Sequence, residues 1–166
     1  MENTLLTAFL QNTYSTYQAR KHLLILKHEL EKRFFNSQQK SEDTESAQDS
    51  TDTMWLTSLD EDFFKPFNQM NAYQVLDDLE KEIKKNPTIT LFIAFTMPEE
   101  EINRLGVWLR IHMVRIPNLL CEIKIDPNLL AGCALSFKGI YKDYSLMQRI
   151  EANKQQIIAN LKNYLK

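Results

Sequence analysis

The dipeptide Asn86-Pro87 divides the chain into two parts with different hydrophobic patterns. Proline has no backbone N–H and restricts the residue before it to extended conformations, so a helix should end at this point. Before the dipeptide, apolar residues recur every three or four positions; after it comes TITLFIAF, a run rich in β-branched and aromatic residues. We therefore predict an α+β fold, with a helical domain over residues 1–86 and a small α/β domain over residues 87–166.

Two amphipathic segments of the first domain predict a helical bundle. The apolar face of the first segment carries Leu6, Leu10, Tyr14, Tyr17, Leu23, Leu26, Leu30 and Phe34. This pattern shifts register near Ala19 to Lys21, so it fits either one long helix or two stacked helices. The second segment extends from Met54 to Lys85 and is interrupted at Pro66, with Ser58 and Asn71 as helix-capping residues.

The aromatic residues and the histidines of this domain have structural interpretations. We interpret one aromatic cluster as bundle core, with a groove that faces a partner as the alternative. Its members are Met54, Trp55, Phe63, Phe64 and Phe67. The buried stripe of the later helix is Tyr73, Leu76, Leu79 and Ile83. His22 and His28 have a spacing that does not suit a shared metal ion on one helix face, so we expect both to be exposed.

A polar, acidic segment lies within the helical domain at residues 37–53. Its sequence is SQQKSEDTESAQDSTDT, in which Ala47 is the only apolar residue and acidic residues outnumber the single lysine. Such a segment buries too little surface to offset the entropy lost on ordering, so we predict a disordered insertion. An acidic interaction motif is the alternative.

The second domain begins with a strand, followed by a helix. Thr88 to Phe95 is apolar on both faces, which predicts a central strand. Thr96 is the expected cap of the following helix, with Pro98 in its first turn and three glutamates at the positive end of the helix dipole. We interpret these glutamates as helix-start electrostatics and not as a catalytic or metal site. The buried stripe of this helix is Ile102, Leu105, Leu109 and Met113, with Trp108 beside it.

Two further alternating segments predict a hairpin and a final helix. A hairpin about the Asp126-Pro127-Asn128 turn would bring Cys121 and Cys133 opposite each other, which allows a disulfide. In a reducing interior we expect the two thiols to stay reduced. Lys138-Gly139 predicts a second turn, after which Asp143 or Ser145 would cap a long terminal helix.

Composition excludes several classes of function. The formal net charge of −2 and a pI near 5.9 argue against nucleic-acid binding. Only two cysteines are present, which favours a reducing compartment, and neither a signal-peptide pattern nor a membrane-spanning apolar run is found. We find no phosphate-binding glycine loop and no Ser-His-Asp or Cys-His arrangement, so we predict no catalytic, cofactor or metal site.

The pattern from Thr88 to Ile150 resembles the delta subunit of bacterial F-type ATP synthases, the family of the oligomycin-sensitivity-conferring protein. In that family a strand and a helix lead to a second strand, an Asp-Pro segment with glycines, a further strand and a helix that contains arginine. The matching residues here are Asp126, Pro127, Leu129, Gly132, Asp143, Ser145 and Arg149. Ala131 and Tyr144 stand where the family has glycines, and the first domain is short for the family's helical bundle, so the resemblance implies a reduced bundle.

This resemblance implies a non-catalytic stator subunit without a cofactor. In the family the helical bundle binds N-terminal helices of the alpha subunits, and the C-terminal domain joins the b subunits of the peripheral stalk. The chain would then lie at the cytoplasmic face of the membrane, held there only through the complex. On the terminal helix, the candidate partner contacts are Ile157, Leu161 and Leu165.

Two other interpretations remain open from the sequence. The E subunit of vacuolar or archaeal ATPases also ends in a strand-rich unit with a helix that contains arginine, but a very long charged helix precedes it. Here Pro66, Pro87 and the acidic segment would interrupt such a helix. A helical adaptor protein unrelated to ATPases is the third interpretation.

Overall fold

The computed structural model describes residues 2–35 and 50–164, and within these ranges the fold is α+β, as predicted. The helices of the first part are α1 (Glu2–Leu10), α2 (Thr16–Phe34), α3 (Ser50–Thr57), α4 (Glu61–Phe64) and α5 (Ala72–Lys85). The second part consists of β1 (Thr88–Ile93), α6 (Glu99–His112), β2 (Leu120–Ile125), a 3-10 helix (Pro127–Leu129), β3 (Cys133–Phe137), β4 (Ile140–Asp143), α7 (Leu146–Ala152) and α8 (Lys154–Tyr164).

The first amphipathic segment forms two helices, which decides between the two alternatives. The break lies between α1 and α2, upstream of the predicted shift in register. A capping box begins α2: Ser15 Oγ accepts from the Gln18 backbone N–H at 3.1 Å, and Gln18 Oε1 accepts from the Ser15 backbone N–H at 3.2 Å. These reciprocal bonds satisfy two N–H groups at the helix start and fix the boundary at Ser15.

The following helices differ from the prediction at their ends. Helix α3 begins at Ser50, so residues 50–53 of the predicted disordered insertion are helical, whereas residues 37–49 lie outside the described part. Ser58 does not cap a helix start, because its hydroxyl donates to the Trp55 carbonyl at 2.7 Å. Pro66 lies between α4 and α5, as predicted, and Asn71 precedes α5 but donates to the Pro66 carbonyl instead of capping.

The helices enclose one aromatic and aliphatic core. Among its buried members are Phe9, Leu10, Leu26, Leu30, Trp55, Phe63, Phe67, Leu76, Leu79 and Ile83. The core interpretation of the aromatic cluster is therefore confirmed for Trp55, Phe63 and Phe67, whereas Met54 is exposed. Tyr73 is also exposed, and the buried stripe of α5 begins instead at Ala72, followed by Leu76.

The four strands form one sheet in the order β2-β1-β3-β4, with β1 in a central position as predicted. β1 is parallel to β2 and antiparallel to β3. The predicted hairpin between β2 and β3 is wrong, because β1 lies between them. Cys121 is opposite Ile89 and Cys133 is opposite Ile93, so the two cysteines are not neighbours, and both are free thiols.

Helix α6 covers one face of this sheet. Leu109 of α6 packs with Ile89 and Cys121 in a second buried cluster. Pro98, in an extended conformation, is the residue before the helix, so Thr96 is not the cap and Pro98 is not within the first turn. Trp108 is 52% exposed and does not belong to the buried stripe, because it faces away from the sheet.

The C-terminal elements follow the predicted turns but not the predicted single helix. Lys138 and Gly139 have φ values of 50° and 77°, the left-handed conformation of a tight hairpin turn between β3 and β4. Ser145 caps α7 by accepting from the Gln148 backbone N–H at 3.2 Å. The terminal helix is divided into α7 and α8 at Asn153.

Candidate functional site

The motif residues near the end of the sheet form a compact turn. Asp126 Oδ1 accepts from the Asn128 backbone N–H at 3.0 Å and so caps the 3-10 helix, and Leu129 is buried. Gly132 has φ 81°, and a Cβ at this position would lie 2.7 Å from the Tyr144 carbonyl oxygen. Only glycine fits this close approach of two backbone segments.

The later motif residues begin helix α7. Asp143 Oδ1 accepts from the Ser145 backbone N–H at 2.8 Å, and Ser145 is fully buried under the turn that Gly132 forms. Arg149 is exposed on α7. The motif residues therefore act as caps and turn residues, and their arrangement brings no nucleophile, acid and base together.

The first candidate docking surface is a cleft in the helical half, the α1–α5 cleft, of about 1010 Å³. Its apolar lining is Leu5, Leu6, Ala8, Leu59, Phe63, Pro66, Val75 and Leu79. Its rim is polar: Lys81 pairs with Asp78 at 3.1 Å, and Lys85 pairs with Glu82 at 2.5 Å. An apolar floor with a charged rim is the composition of a groove for an amphipathic helix.

The second candidate docking surface is formed by α7 and α8, and we call it the α7–α8 surface. Its exposed apolar residues are Leu146, Met147, Ile150, Ile157, Ile158 and Leu161. The predicted partner contacts Ile157 and Leu161 are 41% and 56% exposed, whereas Leu165 lies outside the described residues. Six exposed apolar side chains within two consecutive helices are a candidate interaction site.

A set of contacts between α6 and the α1–α2 connection holds the two halves together, and we call it the joint. Arg110 donates to the Gln11 carbonyl at 3.0 Å and to the Thr13 carbonyl, and its guanidinium lies 4.5 Å from the centre of the Tyr14 ring. Burial lowers the pKa of Arg110, and the electrostatic interaction with Tyr14 opposes this effect. Gln18 Nε2 donates to Asn103 Oδ1 at 2.6 Å.

The joint also includes main-chain pairing with the sheet. The Cys121 backbone N–H donates to the Tyr14 carbonyl at 2.9 Å, next to a bridge between Ser15 and Cys121. Burial, with the nearby Glu122 charge, raises the pKa of the Cys121 thiol to about 11. This thiol is therefore protonated at neutral pH and serves as a core side chain.

Beside the joint lies a groove of about 660 Å³ between α2, α3 and α6, the α2–α6 groove. Its lining residues include Tyr14, Gln18, His22, Met54, Trp55, Glu99, Asn103, Val107, Trp108 and Ile111. Met54, Val107, Trp108 and Ile111 are all exposed within this set. The periodicity of α6 marks the side that carries Leu105 and Leu109, which pack against the sheet. It gives no sign that the opposite side borders a groove.

The prediction that His22 is exposed is wrong. It is buried, its ring is stacked on Trp55 with centroids 4.0 Å apart, and Nδ1 lies 2.9 Å from Thr13 Oγ1. The Thr13 hydroxyl donates to the Phe9 carbonyl at 2.9 Å, so His22 Nδ1 is the donor to Thr13 Oγ1. The helical spacing of α2 could not reveal this because Trp55 comes from α3, a distant part of the sequence. The indole Nε1 of Trp55 is buried and donates no hydrogen bond within the described residues.

Within residues 2–35 and 50–164, no group of three or more His, Cys, Asp or Glu side chains is arranged to hold a metal ion. In the same ranges, every helix is too short or too polar to cross a membrane. Comparison with known proteins finds no matching family model and no matching curated protein.

Proposed function

We propose that this chain is a non-catalytic stator subunit of an F-type ATP synthase, linking the catalytic head to the b-subunit stalk during proton-driven ATP synthesis. One observation carries the proposal: two apolar surfaces suited to helices lie on different halves of the chain, and the joint fastens those halves together. A stator subunit needs this arrangement, because it must hold one partner at each end under load.

The α1–α5 cleft is the proposed site for N-terminal helices of the alpha subunits. Leu5 and Ala8 on α1 face Val75 and Leu79 on α5, so a helix laid between them would bury apolar side chains on both walls. Each large apolar side chain buried in this way contributes about 1.5–3 kcal/mol. Binding by apolar contact needs no titrating group.

The α7–α8 surface is the proposed site for the b subunits. All described residues of α8 up to Asn163 are exposed, including Ile157, Ile158 and Leu161. Such a helix gains most of its stability when a partner covers its apolar side, because isolated short helices are marginal in water. In this function the chain would be held at the cytoplasmic face of the membrane only through the complex.

Calorimetric titration of the purified chain tests both contacts. The ligands are peptides from the N-termini of the same organism's alpha subunits and the soluble part of its b subunit. Ala8→Glu, in the cleft, should abolish binding of the alpha peptide, whereas Gln74→Glu, exposed on α5 outside the cleft, should not. Lack of binding to both ligands would overturn the proposal and favour an adaptor unrelated to ATPases.

A further inference from the structure

The α2–α6 groove is used by neither contact of the proposed stator, and its length matches a short helix. Its α6 wall runs from Glu99 to Ile111 along one side of the helix. At a rise of about 1.5 Å per residue, this wall is about 18 Å long, or roughly three helical turns. The groove is more open than enclosed, which suits a segment of a partner protein better than an enclosed small molecule.

One end of this groove is apolar and exposed. Val107, Trp108 and Ile111 form this end on α6, and Met54 of α3, 70% exposed, stands across from them. On α6, Ile111 follows Trp108 by three positions and Val107 by four, so its side chain adjoins both and the three form one ridge along the helix. A ridge of this spacing accepts the side chains of another helix between its members.

The other end of the groove carries an unbalanced negative charge. Arg104 pairs with Glu100 at 2.7 Å and with Glu101 at 3.1 Å, so both of these glutamates have a cationic partner. Glu99 is half-buried and accepts from Gln18 Nε2 at 3.3 Å, but no Lys or Arg of the described residues pairs with it. The helix dipole stabilises Glu99 at this position, yet a cation supplied from outside would stabilise it further.

We propose that the α2–α6 groove binds an amphipathic helix of a partner protein, with apolar side chains against Val107, Trp108 and Ile111 and a Lys or Arg beside Glu99. The length of the groove fits a helix of about three turns. The apolar ridge selects the face of that helix, and Glu99 selects a basic residue at one end. The inference does not depend on the stator proposal, because the α1–α5 cleft and the α7–α8 surface contribute no residue to it.

Intrinsic fluorescence reports this binding selectively. The chain contains two tryptophans, and both Trp55 and Trp108 line the α2–α6 groove, whereas the α1–α5 cleft has none. An occupant that covers Trp108 should shift its emission to shorter wavelength because the indole moves from water to an apolar environment. A ligand of the α1–α5 cleft should leave the emission unchanged.

The probes are two designed helical peptides of about 14 residues, or close to four turns. Both carry leucines at helical spacing; one has lysines at each end and the other has glutamates. We expect the lysine peptide to give a saturable blue shift with an affinity about three- to fivefold higher than the glutamate peptide, the range of a single exposed ion pair. Glu99→Gln should remove most of this preference for the lysine peptide. Ile111→Glu should lower the affinity for the lysine peptide at least tenfold.

Controls keep each outcome decisive. Val107→Asn is a second, milder change of the ridge. The circular dichroism spectra and unfolding curves of Ile111→Glu and Val107→Asn must match those of the parent chain. Leu161→Glu, on the α7–α8 surface, should bind the lysine peptide like the parent chain. Absence of a shift, or equal affinity for the two peptides, would overturn the proposal. Dimer formation by the chain alone would also overturn it, if the dimer shows the blue shift and Leu161→Glu abolishes that shift. The occupant of the groove would then be α8 of a second copy.

Discussion

Gly106 of α6 lies against Tyr14 so closely that a Cβ on residue 106 would stand 2.2 Å from Tyr14 Cβ. No side chain fits at this distance, so the contact requires glycine within the middle of a helix. Glycine at such a position costs about 0.5–1 kcal/mol relative to alanine. Gly106 lies where the helical half meets the sheet half, and its missing side chain allows close packing at the joint.

Gly106→Ala should therefore destabilise the protein by about 1–3 kcal/mol, although alanine is the better helix former. The physical reason is the clash with Tyr14, which α6 can relieve only by moving away from the α1–α2 connection. Urea unfolding curves measure the change. Val107→Ala, at the neighbouring exposed position, serves as the control and should change the free energy of unfolding by less than about 0.5 kcal/mol. An increase in stability for Gly106→Ala would contradict the close contact.

Gly132→Ala and Gly139→Ala form a matched pair that separates steric clash from backbone strain. Both glycines have positive φ, 81° and 77°, but a Cβ at 132 would meet the Tyr144 carbonyl oxygen at 2.7 Å, whereas a Cβ at 139 would meet nothing within 4 Å. Gly139→Ala should cost about 1–2 kcal/mol, the penalty of the left-handed conformation alone. Gly132→Ala should cost at least about 1 kcal/mol more, measured by the same unfolding experiment. Equal losses would show that the turn around Gly132 adjusts freely.

The Cys121 thiol predicts a loss of stability at alkaline pH. Burial raises its pKa to about 11 in the folded chain. Between an unfolded pKa near 8.5–9 and this value, the unfolded chain releases the proton while the folded chain retains it, so stability falls as the pH rises. Each pH unit in this window costs about 1.4 kcal/mol, and the free energy of unfolding should decrease by about that amount between pH 8 and pH 10.

Cys121→Ala provides the reference for this pH effect. Tyrosines and lysines also titrate at alkaline pH, but they remain in the variant, so the difference between the two proteins isolates the thiol. The variant will be less stable at pH 8, since a buried side chain has been shortened. Parallel pH profiles of the two proteins would contradict the assigned role of Cys121.

Leu161→Glu should leave the fold intact and weaken binding to the soluble b subunit. The side chain is 56% exposed, so its replacement removes little buried surface in the free chain. In the proposed complex the same position would be covered, and a buried unpaired carboxylate would cost several kcal/mol. A pull-down with the b subunit, together with circular dichroism, measures both effects. Gln156→Glu, also exposed on α8, is the control and should retain binding.

Local features of the fold could be predicted from the sequence, whereas the pairing of distant segments could not. The tight turn at Lys138-Gly139 and the central position of β1 depend on glycine φ values and on apolar character over a few residues. The partner of β2 is a long-range choice: a hairpin with β3 and a parallel pairing with β1 both satisfy its alternation. The chain adopts the second, and the Asp126 backbone N–H donates to the Ile93 carbonyl where the chain leaves β2 at the end of β1.

The candidate docking surfaces also differ in this respect: the one built from a local segment could be predicted, and the one built from distant segments could not. Helical spacing marks the apolar side chains of the terminal segment, and Ile157 and Leu161 are exposed in the structure. Their contact with a partner stays a prediction. The α2–α6 groove was not predicted, because its walls come from α2, α3 and α6, and no local pattern shows that these elements meet. The predicted exposure of His22 is wrong for the same reason, because Trp55 of a distant helix covers its ring.

The short bridge between Ser15 and Cys121 also affects the solubility of the sheet. β2 is an edge strand, and an edge strand with free N–H and carbonyl groups can pair with a strand of another molecule and start aggregation. Here the Tyr14 carbonyl accepts the hydrogen bond of Cys121, in the most apolar section of that edge. Farther along the strand Lys124 places a charge near the edge, which discourages pairing by a second chain. The helical half thus shields the β2 edge of the sheet from unwanted strand exchange.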